Sequence, residues 1–164
     1  MARRKQRGIK LAHVTLTPEQ VIADYRLVAA SRQASLIGRR EVMSGRAKFG
    51  IFGDGKEVAQ VALARSFRKG DFRSGYYRDQ TLVLALEDAE IGQYFAQLYA
   101  HADVHYDPMS AGRSMSGHFG TRMLNPDGTW RALTDRYNIA ADVSPTGSQM
   151  PRRVGLAYAS RLYR

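Results

Sequence analysis

The sequence of 164 residues contains no cysteine. Disulfide bonds, thiolate metal sites and a cysteine nucleophile are therefore excluded within this chain, and a reducing compartment is compatible with it. The sequence also lacks any apolar run of the roughly eighteen residues that a membrane-spanning helix requires. We therefore expect a protein of the cytoplasm that has no contact with membranes.

The common catalytic motifs are also missing. There is no G-x-S-x-G nucleophile elbow, no Walker loop that ends in Gly-Lys, and no G-x-G-x-x-G after a strand. Acidic residues are outnumbered, 15 against 25 basic ones, which gives a net charge of +10. This excess suits an anionic cofactor, an acidic partner chain or nucleic acid, but the basic residues are scattered and form no recognition motif. Nucleic acid is therefore not the expected partner.

The hydrophobic content of 44% and the length predict one folded unit. Residues 1–16 form a basic segment that we interpret as a flexible tail, and residues 17–164 form the domain. Thr17-Pro18-Glu19-Gln20 predicts a helix start with a capping box, and the helix should run toward Met43. Its apolar stripe is predicted to face the core; the stripe comprises Val21, Ile22, Tyr25, Val28 and Ala29.

Later segments alternate helices with irregular chain. Asp54 and Glu57 resemble a second capping box before a helix that ends near Gly70. Short helices are predicted from Thr81 to Leu86 and from Ile91 to Tyr99, and a tightly packed one from Pro151. The long segment 102–143 has little periodicity, and its glycine-rich centre favours an ordered binding loop over a mobile surface loop.

The stretch Gly75-Tyr76-Tyr77-Arg78-Asp79 combines a glycine, two aromatic rings, a cation and an anion between two helical patterns. The guanidinium fork of Arg78 beside the Tyr77 hydroxyl offers the donors that a diphosphate accepts. An ion pair between Arg78 and Asp79 explains the same residues equally well. A further stretch, Ser144 to Gln149, supplies hydroxyls and backbone groups before a helix and could face the same ligand.

Two other patterns have simpler structural explanations. His101 and His105 have the spacing of two metal ligands on one helix face, but no third ligand is evident and solvated histidines are commoner. The run Gly53-Asp54-Gly55 could bind phosphate or a cation, but a helix start explains it more simply.

Together, these motifs resemble a known family. Their order resembles that in the alpha subunits, or alpha halves, of the thiamine-diphosphate-dependent decarboxylating component of 2-oxo acid dehydrogenase complexes. The matching segments are, in order, Phe52 to Ala59, Tyr77-Arg78-Asp79, Gly112 to Gly120, Ser144 to Gln149 and Val154-Gly155. The branched-chain (2-oxoisovalerate) type is most similar. The resemblance covers residues 20–164 approximately.

The resemblance implies an α/β fold, of which this chain would be the N-terminal part, mostly helical with a long binding loop. It implies oxidative decarboxylation of a branched-chain 2-oxo acid or pyruvate, with acyl transfer to a lipoyl group. Tyr77 and Arg78 would hold the cofactor diphosphate, and Ser144 would contact the thiamine. The residues implied as a potassium site are Val143, Pro145, Ser148 and Gln149. Arg113 and His118 would lie on a loop near the substrate, without an assigned catalytic role.

The resemblance also implies what this chain would lack. The Gly-Asp-Gly and asparagine that bind magnesium in the family are expected beyond Arg164, since Gly53-Asp54-Gly55 precedes a helix instead of following a strand. The expected partners are the beta subunit or beta half, in an oligomer, and a lipoyl-bearing acyltransferase. We therefore expect the chain alone to be catalytically inactive. The alternative hypothesis is a non-catalytic remnant or assembly module that pairs with another chain.

Overall fold

A computed structural model of the chain describes residues 16–86 and 89–162. Nearly all of the predicted basic tail lies outside the described residues, as do Glu87 and Asp88. The described parts are mostly helical with one small parallel sheet, which confirms an α/β composition. The helices are α1 (Pro18–Met43), α2 (Glu57–Ala64), α3 (Gln80–Ala85), α4 (Ile91–Leu98) and α5 (Gln149–Leu162), and the strands are β1 (Phe72–Ser74) and β2 (Asn138–Ala140). None of these helices combines the length and apolarity needed to cross a bilayer.

Helix α1 starts as the sequence predicts. The Thr17 hydroxyl accepts a hydrogen bond from the Gln20 amide at 3.3 Å, and the Gln20 side chain accepts one from the Thr17 amide at 3.0 Å. Pro18 occupies the first turn, where its missing N–H leaves no hydrogen bond unmade. This capping box is a local device, so neighbouring residues alone are enough to specify it.

The apolar stripe at the start of α1 does not face the core, contrary to the prediction. Val21 and Ile22 are about half exposed and Tyr25 is 70% exposed. The helix instead buries small residues further along: Ser31, Ala34, Ser35 and Gly38. These small side chains allow close packing, since Gln80 donates to the Ser35 hydroxyl at 2.8 Å and the Phe52 ring lies directly against Gly38.

The predicted second capping box is also absent. The residue before α2 is Lys56, and no side chain caps that helix start. Asp54 instead pairs with Arg39, at 2.6 Å. Glu57 accepts two bonds from the Arg32 guanidinium, at 2.6 and 2.9 Å, and one from the Gly55 amide. The two carboxylates that were predicted to cap α2 therefore form ion pairs with arginines of α1 instead.

The sheet places two distant segments side by side. β1 and β2 run parallel, with Arg73 opposite Ile139. The core consists of buried side chains from the helices, from β2 and from the connecting loops: Ala34, Val83, Ala89, Tyr94, Phe119 and Ile139. Because parallel strands have their carboxyl ends at one edge, the chain after Ser74 and the chain after Ala140 emerge together.

The long segment between α4 and β2 is held by a buried carboxylate. Asp107 is fully buried and accepts hydrogen bonds from the amides of Met109, Ser110 and Gly112 and from the Ser110 hydroxyl. Burial alone would raise the pKa of Asp107, but these hydrogen bonds outweigh it and lower the pKa. The described loop is therefore ordered by specific contacts. Nearby, His101 and His105 belong to no group of three metal-binding side chains among the described residues.

Helix α5 forms as predicted, but its packing was predicted wrongly. None of its residues is buried in the described part of the chain. Arg153 on one side donates to the Ser74 carbonyl at 3.1 Å, which ties the helix to β1. Another face of the helix presents an exposed apolar stripe of four residues at intervals of four: Met150, Val154, Tyr158 and Leu162.

The ion pair between Glu57 and Arg32 generates a prediction about stability. Only 3% of the Glu57 side chain is exposed, and the hydrogen bond from Arg32 lowers its pKa from 4.5 to about 2. The stabilisation is therefore present above pH 4.5 and lost as the pH falls toward 2. We expect Glu57→Gln to lower the free energy of unfolding by about 2 kcal/mol at pH 7.

Chemical denaturation at a series of pH values measures this difference. The gap between the wild type and Glu57→Gln should shrink steadily from pH 5 to pH 2. Asp24→Asn is the matched control, because the pair of Asp24 with Arg65 lies nearer the solvent and should contribute less than about 1 kcal/mol. A gap that stays constant with pH would contradict the assignment.

Candidate functional site

The loop between β1 and α3 is a tight turn closed by Asp79. Its carboxylate accepts a hydrogen bond from the Tyr76 amide at 3.0 Å and pairs with Arg73 at 3.1 Å. Asp79 therefore does not pair with Arg78, and the surface ion pair considered as an alternative is not formed. Its engagement with Arg73 leaves the Arg78 side chain available for another partner.

Arg78 carries an unused donor. Its guanidinium lies over the Tyr77 ring, 5.5 Å from the ring centre, and its buried Nε has no hydrogen-bond partner among the described residues. The backbone of Arg78 is held in place, because its carbonyl accepts a hydrogen bond from the side-chain amide of Gln60 at 3.0 Å. A buried donor without a partner is costly, so an anion placed here would satisfy it.

The two tyrosines connect this turn to the other segments of the site. Tyr77 is buried, its hydroxyl shares a hydrogen bond with that of Tyr76, and its ring stacks on His118 with ring centres 5.9 Å apart. The Tyr76 hydroxyl also lies 3.3 Å from the Thr146 hydroxyl. The bond with Thr146 is the main cause of a lowered pKa for Tyr76, and the bond with Tyr76 raises that of Tyr77.

His118 links the long loop to the segment after β2. Its Nδ1 lies 3.0 Å from the Met115 carbonyl, which can only accept, so Nδ1 carries a proton. In that tautomer of the neutral ring, the Ser144 hydroxyl donates a hydrogen bond to Nε2, at 2.7 Å. This geometry could pass a proton between the imidazole and a group bound near Ser144.

The structure thus brings together most of the site residues that the sequence predicts. Tyr77, His118 and Ser144 form one continuous cluster with Arg78 beside it. Arg113 does not join the cluster: it is exposed, and its Nε donates to the Ser110 carbonyl at 3.1 Å. The candidate site therefore contains one of the two loop residues predicted near a substrate.

The predicted potassium residues form one tight turn. Gln149 Nε2 lies 3.2 Å from the Val143 carbonyl and 3.5 Å from that of Pro145. The Ser148 hydroxyl donates to the same Pro145 carbonyl at 2.7 Å. The two carbonyls therefore converge on the Gln149 amide nitrogen, and the Ser148 hydroxyl is bonded to one of them. Rotating that amide would replace a donor with an oxygen, the ligand that hard cations prefer.

Sequence reasoning missed the residues that support this cluster. Arg73 and Asp142 form a buried ion pair at 3.0 Å, behind the turn. Burial raises the pKa of Asp142, and Arg73 only partly offsets this. Gln97, also buried, accepts from the Gly117 and His118 amides and donates to the His118 carbonyl. The sequence offered no signal for Arg73, which stands between Phe72 and Ser74 in a strand of three residues.

Comparison with known proteins supports the resemblance. The chain is 31% identical over 152 residues to "2-oxoisovalerate dehydrogenase subunit alpha" of Bacillus subtilis (strain 168), which covers 90% of this chain and 40% of the relative. The chain is homologous to this alpha subunit. Two mitochondrial alpha subunits of the same name match over 146 residues, that of Mus musculus at 27% identity and that of Bos taurus at 26%.

The homologous region is only part of these alpha subunits. The match covers 89% of this chain but 29% of the mouse relative and 28% of the bovine one. No family model matches the chain. The identity to these relatives confirms the resemblance to the branched-chain type. The chain spans 40% or less of the length of each relative.

The contact below Arg78 generates a prediction. A Cβ atom added at Gly53 would collide with the Arg78 carbonyl, which is backbone and cannot turn away. We expect Gly53→Ala to displace the turn and lower the free energy of unfolding by about 1–3 kcal/mol. Gly92→Ala is the control, since no atom lies within 4 Å of a Cβ there. In helix α4 that change should stabilise by up to about 1 kcal/mol.

Thermal and chemical unfolding of the two variants check this expectation. Equal stability of Gly53→Ala and Gly92→Ala would show that Gly53 does not fix the Arg78 backbone.

Proposed function

We propose that this chain forms part of a thiamine-diphosphate-dependent 2-oxo acid dehydrogenase, in which it contributes residues that bind the cofactor. The observation that carries the proposal is the convergence of Tyr77, Arg78, His118 and Ser144 from three segments far apart in sequence. The names of the homologous alpha subunits support the reaction class. The proposed fold is the N-terminal part of a thiamine-diphosphate-binding fold.

The diphosphate end of the cofactor fits the turn after β1. Arg78 offers the buried Nε that lacks a partner, and Tyr77 places a hydroxyl and an aromatic face beside it. A charge-assisted hydrogen bond from guanidinium to phosphate is stronger than a neutral one, and the packed Tyr77 ring limits the motion of the guanidinium. Because the described residues hold no group of three metal-binding side chains, magnesium would share the diphosphate through ligands outside them.

The thiamine end fits the segment after β2. The Ser144 hydroxyl would contact the cofactor, and His118 behind it would orient that hydroxyl and hold or release a proton at Nε2. When bound, thiamine diphosphate supplies the carbanion and the electron sink that decarboxylation needs. A potassium ion held by Val143, Pro145, Ser148 and Gln149 would steady this segment from behind.

The proposed substrate and partners rest on the family resemblance, which the names of the relatives support. A branched-chain 2-oxo acid or pyruvate is the proposed substrate, and the acyl acceptor would be the lipoyl group of a partner acyltransferase. A beta subunit or beta half would complete the site, since the homologues are named as alpha subunits. Arg113 stays a candidate for the substrate side of the loop.

A second candidate function is an assembly module that pairs with another chain without catalysis. The exposed apolar stripe of α5 and the exposed start of α1 favour it, because such surfaces usually mark an interface. A protein that pairs with its partner chain but does not bind the cofactor would have this second function and not the first.

Calorimetric titration of the protein with thiamine diphosphate and magnesium tests the proposal, both alone and together with the beta subunit or beta half. Arg78→Ala should weaken binding by about 10-fold or more, because it removes a charge-assisted hydrogen bond. Arg26→Ala removes an exposed arginine from the N-terminal half of α1 and serves as the control. Equal affinity of Arg78→Ala and the wild type, or no binding in either sample, would contradict the proposal.

A further inference from the structure

Arg73 is the central residue of β1, and only 4% of it is exposed. Its Nη1 lies 3.0 Å from a carboxylate oxygen of Asp142, and its Nη2 lies 3.1 Å from Asp79. The same Nη2 donates to the Tyr76 carbonyl at 3.2 Å. One guanidinium thus contacts the turn that carries Tyr77 and the segment that leads to Ser144.

Asp142 extends this connection to the long loop. Its carboxylate accepts a hydrogen bond from the Phe119 amide at 3.1 Å, and its own amide donates to the Phe119 carbonyl at 2.9 Å. Phe119 follows His118 directly, so the position of the imidazole depends on the place of Asp142. All three segments of the candidate site are therefore bonded to Arg73 or to its partner.

The fit around the guanidinium is close. A Cβ atom at Gly75 would collide with the Arg73 guanidinium, so the glycine leaves the space that the side chain occupies. Removing a charge from water costs several kcal/mol, and well-packed apolar residues at such positions often give equal or greater stability. Stability alone therefore gives no reason for a buried arginine here, whereas fixed geometry does.

We infer that Arg73 is a positioning residue of the candidate site: bound between Asp79 and Asp142, it fixes the segments that carry Tyr77, His118 and Ser144 relative to one another. Its effect on cofactor affinity rests on the proposed function. Its effect on the geometry of His118 is independent of any cofactor.

Two variants separate this role from a purely structural one. Arg73→Met leaves Asp142 buried without its cation and should lower the melting temperature strongly. Adding Asp142→Asn removes that buried charge while the amide oxygen still accepts from Phe119, so much of the lost stability should return. The connection to Asp79 and Tyr76 stays broken in both variants.

Two readouts follow the geometry. The first is the ring chemical shifts of His118, assigned among the four histidines of the chain by single substitution. The second is the affinity for thiamine diphosphate with magnesium. In Arg73→Met/Asp142→Asn the His118 shifts should move toward those of a free imidazole. The affinity for the cofactor should fall about 10-fold or more, because small displacements of binding groups have large effects. The control is Arg32→Met/Glu57→Gln, which removes an ion pair that touches none of the site residues.

The outcomes are distinct. Changed His118 shifts in the Arg73 double variant, with the control unchanged, support the inference. Wild-type shifts and affinity in the Arg73 double variant overturn it. If that variant does not fold, Asp79→Ala removes the acceptor of one connection at a partly exposed position, and unchanged His118 shifts there also overturn the inference. If the wild type binds no thiamine diphosphate, the proposed function fails, and the His118 shifts still decide the role of Arg73.

Discussion

The guanidinium of Arg73, enclosed by Asp79 and Asp142 at the end of a two-stranded parallel sheet, determines how the candidate site is arranged. A buried cation loses its hydration, and acceptors within hydrogen-bonding distance must replace it, as Asp79, Asp142 and the Tyr76 carbonyl do for the two Nη atoms of Arg73. This requirement leaves little freedom to the chain around it. The turn after β1 and the segment after β2 must both approach the same guanidinium, and their site residues then lie side by side.

The helices serve this arrangement by close packing on small side chains. Helix α1 approaches the turn and α3 closely at its small residues Ser31, Ser35 and Gly38. There the side-chain amide of Gln80 donates to the hydroxyls of both serines. Gly53 gives the Arg78 carbonyl the space to lie against the loop before α2. A larger residue at any of these places would push the turn away from the sheet. The rigidity of the site therefore comes from contacts well outside it.

The sequence predicted correctly the features that neighbouring residues fix by themselves, and failed where contacts with distant segments decide. The start of α1 depends on Thr17 and Gln20, three residues apart, so the pattern was sufficient. The burial of the Val21 stripe and the capping role of Asp54 depended on which surfaces meet in space, and both predictions were wrong. Tyr77 and the segment from Ser144 were predicted from their donors and hydroxyls to face one ligand, and the family resemblance added His118. The contacts among these three residues are visible only in the structure. Arg73 and Asp142 are 69 positions apart, which no local pattern connects.

The proposed function requires that the three segments that meet at the sheet edge bind a single cofactor. Hydrogen–deuterium exchange with and without thiamine diphosphate and magnesium tests this claim most directly, because it reports each segment separately. The account predicts slower exchange in residues 75–80, 117–120 and 143–149 together when the cofactor is present. Slower exchange in only one of these segments, or no change in any of them, would contradict it.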